Sequence, residues 1–117
     1  MREPLSGEMN RRATFFSIKH VPSGDSDLLK NGQTLFHAWV KVEVVGGLVY
    51  WENAQTSDAI THRIFVRYVK DRSRPQDFSR ITVIRIGDIL YRAKRVTDVN
   101  ESRRFTMLEC EVLNHGS

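Results

Sequence analysis

The sequence predicts an all-β fold, a small antiparallel β-barrel of about six strands. Apolar residues recur at every second position in several short segments, as expected of strands that bury one face. Turns containing glycine, proline, asparagine or aspartate separate these segments. No stretch has the apolar period of a long amphipathic helix. Short strands joined by short turns, without long helices, are typical of a barrel or a sandwich.

An N-terminal arm precedes the first predicted strand. Pro4 and Gly7 interrupt regular structure, so residues 1–11 are expected to form a flexible arm. The segment RATFFSIKH then alternates as a strand. Its alternation separates Phe15 from Phe16 and predicts that Phe15 lies on the face opposite to the core.

The second strand, TLFHAWVKVEVV, has the clearest alternation in the sequence. Its apolar stripe consists of Phe36, Ala38, Val40, Val42 and Val44. Two consecutive glycines end the strand. Residues 45–59 are therefore expected to form a long loop or a short helix between strands 2 and 3.

The third strand, within ITHRIFVRYV, carries substantial side chains on both faces. One face has His62, Ile64, Val66 and Tyr68, and the other has Thr61, Arg63, Phe65 and Arg67. An ordinary half-buried strand has one polar face. Here the nominally polar face places two arginines around a phenylalanine, which indicates a second contact surface.

The last three strands complete the predicted barrel. RITVIRI and ILYRAKRVT flank Gly87-Asp88, a pair that favours a tight hairpin. The final strand, RRFTMLECEVL, places Thr106, Leu108, Cys110 and Val112 on one side. We expect a single β-barrel domain over residues 12–113 and a C-terminal tail at residues 114–117.

Composition fits one globular domain in a reducing compartment. The chain has 117 residues, of which 40% are hydrophobic and 27% are charged. Its single cysteine excludes an intrachain disulfide. No apolar run has the length of a membrane helix and the N-terminus lacks a signal-peptide core, so we expect a soluble, cytosolic-type protein with no membrane partner.

The net charge of +4 is unevenly distributed along the chain. Residues 62–104 hold 12 basic and 5 acidic residues, a surplus of seven positive charges, whereas the remainder holds 6 basic and 9 acidic residues, a deficit of three. This asymmetry is compatible with a nucleic-acid partner or with copies of the chain that meet basic side to acidic side. For any single charge the default interpretation is a solvated surface residue with no partner.

Several large apolar residues are predicted to lie opposite the strongest core stripes. They are Phe15, Leu35, Trp39, Phe65, Phe105 and Met107. For any one of them the expected explanation is cover by a loop or a short helix. Together they favour a surface shared between subunits, because one small barrel would have difficulty covering all of them.

The sequence contains no recognisable catalytic or cofactor-binding constellation. The four histidines lie at no metal-ligand spacing, and Cys110 falls on a stripe predicted to be buried. Glu109 and Glu111 share a face and are expected to be solvent-facing charges rather than an acid–base pair. We therefore expect no enzymatic activity, no metal and no cofactor.

A single-stranded nucleic-acid-binding barrel, similar to an oligonucleotide-binding fold, is the alternative function. Such barrels stack bases on aromatic side chains and contact phosphates with cations. The candidate residues here are Tyr68, Tyr91, Phe65 and Phe105 for stacking and Arg92, Lys94 and Arg95 for phosphates.

The order of the motifs resembles the small head–tail joining proteins of tailed bacteriophages, the head-closure (stopper) or head–tail adaptor family. The resemblance covers about residues 6–112. The matching segments are, in order, SGEMNRRATFFSI, FHAWVKVE, THRIFVRY, IRIGDILYRAKRVTD and RRFTMLECE. The two longest loops, VPSGDSDLLKNG and GGLVYWENAQTSDA, depart from the usual pattern of the family.

The resemblance implies a structural virion protein at the head–tail interface, assembled in the host cytoplasm. Such proteins form a homo-oligomeric ring below the portal or adaptor, close the DNA channel after packaging and present a docking surface for a tail terminator or tail tube protein. They can remain monomeric in solution until a partner ring templates them. Contact with DNA in the channel is expected to be non-specific and weak.

Two groups of residues are assigned roles on this basis. Arg63, Phe65 and Arg67 are expected at the subunit interface, since arginine pairs well with carboxylates in interfaces. Leu48, Tyr50 and Trp51 are expected in a channel-facing loop, for which the alternative is that they cover an open end of the barrel. Another connector-region protein, such as a tail terminator, also remains an alternative.

Overall fold

Six antiparallel strands close into a barrel in the order β1-β2-β3-β6-β5-β4 in the computed structural model, which describes residues 2–18, 32–45, 60–78 and 81–114. The strands are β1 (Arg11–Ile18), β2 (Gln33–Val44), β3 (His62–Arg67), β4 (Ile81–Ile86), β5 (Ile89–Asp98) and β6 (Phe105–Asn114). Within these described ranges, three short 3-10 helices accompany the strands: Ser6–Glu8, Pro75–Asp77 and Val99–Glu101. The predicted all-β barrel of six strands is confirmed.

The hairpin between β4 and β5 forms at the predicted glycine. Ile86 pairs with Ile89, which leaves Gly87 and Asp88 as the two turn residues. Gly87 has a φ of +62°, a left-handed conformation that suits glycine because it has no Cβ. The sequence signal therefore reflects a real backbone requirement at this turn.

The barrel interior is filled by residues that alternate along every strand. The core includes Phe36 and Val40 of β2, Ile64 and Val66 of β3, and Leu108. Two residues of the predicted β2 stripe, Phe36 and Val40, are buried, and Ala38 and Val42 are half-buried against the core. The stripe ends at Val44, which is 79% exposed and lies at the last position of the strand.

Phe15 corrects one prediction about β1. It was expected opposite to the core, yet it is fully buried in the interior and stacks on Phe36 with ring centroids 4.5 Å apart. The register of β1 against β2 shifts here because Leu35 of β2 has no partner, but β1 pairs with β4 without interruption and keeps its alternation. The error was the choice of face, since Phe15 shares the interior face with Ala13. Phe16 instead belongs to a separate buried cluster with Ile18, Val83 and Leu90.

A further cluster covers the outer face of β3 and β6. Phe65, Phe105 and Met107 are buried there beneath Met9 of the N-terminal arm and Val99. Four of the six apolar residues predicted to need a second subunit are therefore buried within one chain, because the interior takes Phe15 and this cluster takes three more. Leu35 and Trp39 are exposed, as expected of a contact surface.

The ends of the long connection between β2 and β3 are fixed. The Val45 N–H donates a 2.9 Å hydrogen bond to the Thr61 carbonyl, and Ile60 is buried. Residues 46–59, which include the predicted channel loop, lie outside the described residues. Among the residues that the structure describes, no helix is long and apolar enough to cross a membrane.

Candidate functional site

The outer face of four adjacent strands carries a row of alternating charges, which we call the charge row. Cross-strand pairing places Glu43 of β2 opposite Arg63 of β3, Arg63 opposite Glu109 of β6, and Glu109 opposite Arg95 of β5. Oppositely charged residues that face each other across strands stabilise a sheet. The row therefore links β2, β3, β6 and β5 into one surface.

Glu109 is the buried centre of the charge row. Its side chain is only 4% exposed, and Arg95 contacts Oε1 through Nη2 at 2.5 Å. The Arg63 Nε lies 3.9 Å from Oε2 and has no hydrogen-bond partner within the described part of the chain. The expectation that Glu109 faces solvent was wrong, because its two arginine neighbours cover it. Glu111 is half-buried, with Oε1 3.8 Å from the Lys94 Nζ.

Phe65 lies beside the charge row, beneath the N-terminal arm. It pairs with Lys41 of β2 and Met107 of β6 and is only 2% exposed. Met9 packs in the same cluster, and the Lys41 Nζ lies 5.7 Å from the centre of the Phe65 ring. The face thus combines a covered aromatic residue with a fixed cation.

Ion pairs and hydrogen bonds hold the arm, residues 2–10, against this face. The Glu8 carboxylate accepts hydrogen bonds from the Leu5 backbone N–H at 2.8 Å and from Arg2 at 3.0 Å. These two bonds lower the pKa of Glu8 to about 2. Lys41 lies 3.4 Å from the same carboxylate and connects the arm to β2. Residues predicted as a flexible arm therefore make specific contacts in the structure.

Arg67 extends the β3 face to its solvent-exposed end. Its guanidinium lies 5.6 Å from the centre of the Phe105 ring, to which it is paired across β3 and β6. Arg12 similarly lies 5.5 Å from the Trp39 ring. Both arginines are exposed, so each aromatic ring orients a cation without neutralising it.

A groove opens where β2 separates from β3, and we call it the β2 groove. The ladder between these strands includes only Lys41–Val44 of β2. Beyond it lies a cleft of about 280 Å³. Its lining residues on β2 are Phe36, His37, Ala38 and Trp39, and those on the opposite side are Val66, Arg67, Val69, Arg72 and Ser73, with Met9 and Arg12 at the rim.

Ser73 fixes the wall of the groove that faces β2. It is buried, its hydroxyl donates to the Arg67 carbonyl, and it accepts a 2.9 Å hydrogen bond from the Val69 N–H. The Thr106 hydroxyl in turn donates to the Ser73 carbonyl. These bonds satisfy buried polar groups and hold residues 67–73 in one conformation.

The structure places the residues assigned to subunit contact on one face of β3, but exposes them unequally. Arg67 is exposed, Arg63 is partly covered within the charge row, and Phe65 is buried. Leu48, Tyr50 and Trp51 lie outside the described residues.

The residues proposed for base stacking are poorly placed for that role. Phe65, Phe105 and Tyr91 are buried, and Tyr68 is half-buried. Lys94 and Arg95, proposed as phosphate ligands, lie close to Glu111 and Glu109. Stacking requires accessible ring faces, so this arrangement argues against the nucleic-acid alternative.

Cys110 and the metal-ligating side chains are the groups of the described residues that bear on catalysis and metal binding. The described residues include no group of three or more histidine, cysteine, aspartate or glutamate side chains that could hold a metal ion. Cys110 is buried in the barrel interior, and burial raises the pKa of its thiol. A thiol that stays protonated is a poor nucleophile.

Sequence reasoning missed three residues that shape this region: Met9, Ser73 and Glu109. Alternation along β6 could have placed Glu109 with Phe105 and Met107 on the outer face. Its position between Arg63 and Arg95 depends on strand register, which the sequence does not reveal. The packing of Met9 on Phe65 is a contact between distant segments and has no local signal.

The structure is a small closed β-barrel whose charged and aromatic groups lie on the outer surface. This arrangement is that of a structural assembly protein. The family model of the phage head completion protein matches residues 5–113, and the chain belongs to this family. The resemblance to head-closure proteins is thereby confirmed. The family is one of structural proteins of phage head assembly, which implies association with the virion head and contact with other head or tail proteins. A comparison with curated proteins finds no match.

Proposed function

We propose that the chain forms a homo-oligomeric ring below the portal or adaptor, closes the DNA channel after packaging and provides the docking surface for the tail. The observation that carries this proposal is the family match over residues 5–113, together with the exposed Arg67 at one end of the β3 face, with which no described carboxylate forms an ion pair. The ring acts mechanically, without catalysis, and assembles in the host cytoplasm. A tail terminator or tail tube protein is the partner on the tail side.

The proposed subunit interface is centred on Arg67, with Arg63 and Phe65 behind it. Arg67 is exposed and already oriented by Phe105, so it can reach a carboxylate of a neighbouring subunit. Arg63 and Phe65 support it from within the sheet. Arg63 is part of the charge row, and Phe65 packs against Met9 of the arm. Repeated contact between a basic surface and an acidic surface suits a ring closed by rotation.

The proposed channel element is the segment with Leu48, Tyr50 and Trp51. Its two ends meet at the hydrogen bond between Val45 and Thr61, which supports a projection from the end of the β2–β3 hairpin. In the sequence, this segment begins with two consecutive glycines, Gly46 and Gly47. Tight phosphate binding would slow DNA passage, so we expect non-specific and weak contact with DNA.

A reconstitution experiment tests this function directly. DNA-filled heads that lack the protein are mixed with the purified chain, and nuclease resistance of the packaged DNA and attachment of purified tails are measured. We expect the chain to restore both, with electron cryomicroscopy locating a ring at the portal. Heads that retain DNA and join tails without the chain would contradict the proposal.

Two matched variants sharpen the test. Arg67→Glu should leave the monomer folded and abolish reconstitution, because it reverses charge at the proposed interface. Arg103→Glu makes the same charge change at an exposed residue outside that interface and should reconstitute normally. Full activity of Arg67→Glu would remove this residue from the interface. Binding of the chain to purified tails rather than to heads would favour the tail-terminator alternative.

A further inference from the structure

Over much of its length, the edge of β2 that faces β3 has no strand partner among the described residues. β2 pairs with β1 through residues 33–40, whereas its pairing with β3 covers only Lys41–Val44. Alternate residues of an antiparallel strand direct their N–H and C=O groups to opposite neighbours. Within the described residues, no backbone group hydrogen-bonds to the β3-facing edge of residues 33–40. This edge therefore presents both donors and acceptors for another strand.

The surface beside this edge can accept apolar side chains. Trp39 is 54% exposed, and Val69 on the opposite wall is also exposed. Between them the groove of about 280 Å³ includes Phe36, Ala38 and Val66. A strand added to β2 would direct every second side chain toward this apolar surface, as in strand addition to other exposed sheet edges. The wall fixed by Ser73 needs no reordering, which reduces the cost of binding.

The charges around the groove specify an anionic partner. Arg12, Arg67 and Arg72 line it, and no ion pair within the described ranges neutralises any of the three. Arg74 nearby differs, because Asp71 and Asp77 both pair with it. Three guanidinium groups that no described carboxylate neutralises, placed around one apolar groove, complement carboxylates that flank an apolar side chain.

We propose that the β2 groove binds an extended acidic segment of a partner protein, which adds as a strand to the free edge of β2. The phosphates of a nucleic acid would pair with the arginines but would not satisfy the backbone groups of the β2 edge. Phosphodiester oxygens only accept hydrogen bonds, so they cannot donate to the backbone carbonyls. A polypeptide strand satisfies both kinds of group. The inference goes beyond ring formation, because it concerns the chemistry of the partner segment and is tested on the isolated chain.

The test uses a fluorescent peptide of about eight residues that alternates glutamate with valine and carries one central phenylalanine. Anisotropy gives its affinity, and ¹⁵N-HSQC spectra of the labelled chain locate its site. We expect shift changes at residues 33–40 and 66–73. We also expect binding about tenfold weaker for the same peptide with lysine in place of glutamate, and for one N-methylated at alternate residues. Equal binding of all three peptides, or undetectable binding of the acidic peptide, would overturn the proposal.

Variants separate the groove from the rest of the surface. Arg67→Glu and Trp39→Ala should each weaken binding of the acidic peptide by about tenfold or more. Their controls, Arg103→Glu and Val44→Ala, change an exposed arginine and an exposed β2 residue outside the groove and should bind as the unmodified chain does.

A labelled oligothymidylate that displaces the peptide and binds more tightly would overturn the proposal in favour of a nucleic-acid site. Peptide binding without head reconstitution would preserve this inference while contradicting the proposed function.

Discussion

Two surfaces of the molecule contain similar residues: the outer face of β3 and β6, and the β3-facing edge of β2. They differ in how much of their aromatic and charged side chains the same chain covers or neutralises. On the first surface, Phe65 lies under Met9 and beside Lys41, and Glu109 neutralises its arginine neighbours. On the second, Trp39 lies in solvent beside arginines that no described carboxylate neutralises. Aromatic and arginine residues on a strand therefore identify an interface only when it is known that other segments of the same chain do not bury them.

This difference separates stability from assembly. Residues of the covered surface contribute to folding because their burial is achieved within the monomer. Residues of the open surface gain burial only when a partner binds. Substitutions in the first region should lower stability, and substitutions in the second should mainly reduce association.

The largest expected effect is that of Phe65→Ala. Truncating this buried ring should lower the free energy of unfolding by about 3–4 kcal/mol, because it removes apolar contacts and leaves a cavity. Trp39→Ala, which truncates a larger but exposed ring, should cost less than about 1 kcal/mol. Urea denaturation followed by far-UV circular dichroism measures both. Equal losses of unfolding free energy would mean that the monomer buries Trp39 as well as it buries Phe65.

Glu109→Gln should lower the free energy of unfolding by about 2 kcal/mol. The amide cannot neutralise Arg63 and Arg95, and Arg63 is partly buried, although exposure of Arg95 moderates the loss. Glu111→Gln, at the half-buried neighbour on the same face, should cost less than about 0.5 kcal/mol. Paired denaturation curves provide the measurement. A stability of Glu109→Gln equal to that of the unmodified chain would show that the charge row contributes nothing.

Met9→Ala should lower the free energy of unfolding by about 1.5 kcal/mol, less than a core truncation, because the arm can partly close over the space. Leu5→Ala is the matched control, since Leu5 is an exposed apolar residue of the same arm and should have little effect. Trypsin digestion complements denaturation and should cleave Met9→Ala faster after Arg11. An unchanged digestion rate would argue that the arm is not held by Met9.

The smallest expected effect is the acid dependence of the arm. The pKa of Glu8 is lowered from its ordinary value of 4.5 to about 2, so its contacts stabilise the docked arm fully above pH 4.5. That contribution should be lost progressively as the pH falls from 4.5 toward 2. The Leu5 amide shift, followed by NMR, should titrate in this window and be flat in Glu8→Gln. A midpoint near 4.5 would contradict the docked arrangement.

Strand positions and the hairpin were predictable because they depend on local patterns. The alternation in β2 and the Gly87-Asp88 turn are local signals that the fold retains. Phe15 was assigned to the wrong face because β1 buries large apolar residues on both faces, and alternation alone does not show which face is the barrel interior. The cover on Phe65 was missed for a related reason, since it depends on the arm returning across the sheet. The family role followed from motif order over nearly the whole chain.

Amide hydrogen exchange of the isolated chain, resolved by NMR, compares the two regions most directly. Every second amide in residues 34–40 should lack a hydrogen-bond partner and exchange on the order of a hundredfold faster than its neighbours, which pair with β1. Amides of residues 62–65 should be slow throughout, because β3 has a strand partner on both sides there. Uniformly slow exchange along residues 34–40 would contradict the open edge of β2 and leave no unsatisfied strand for a partner to join.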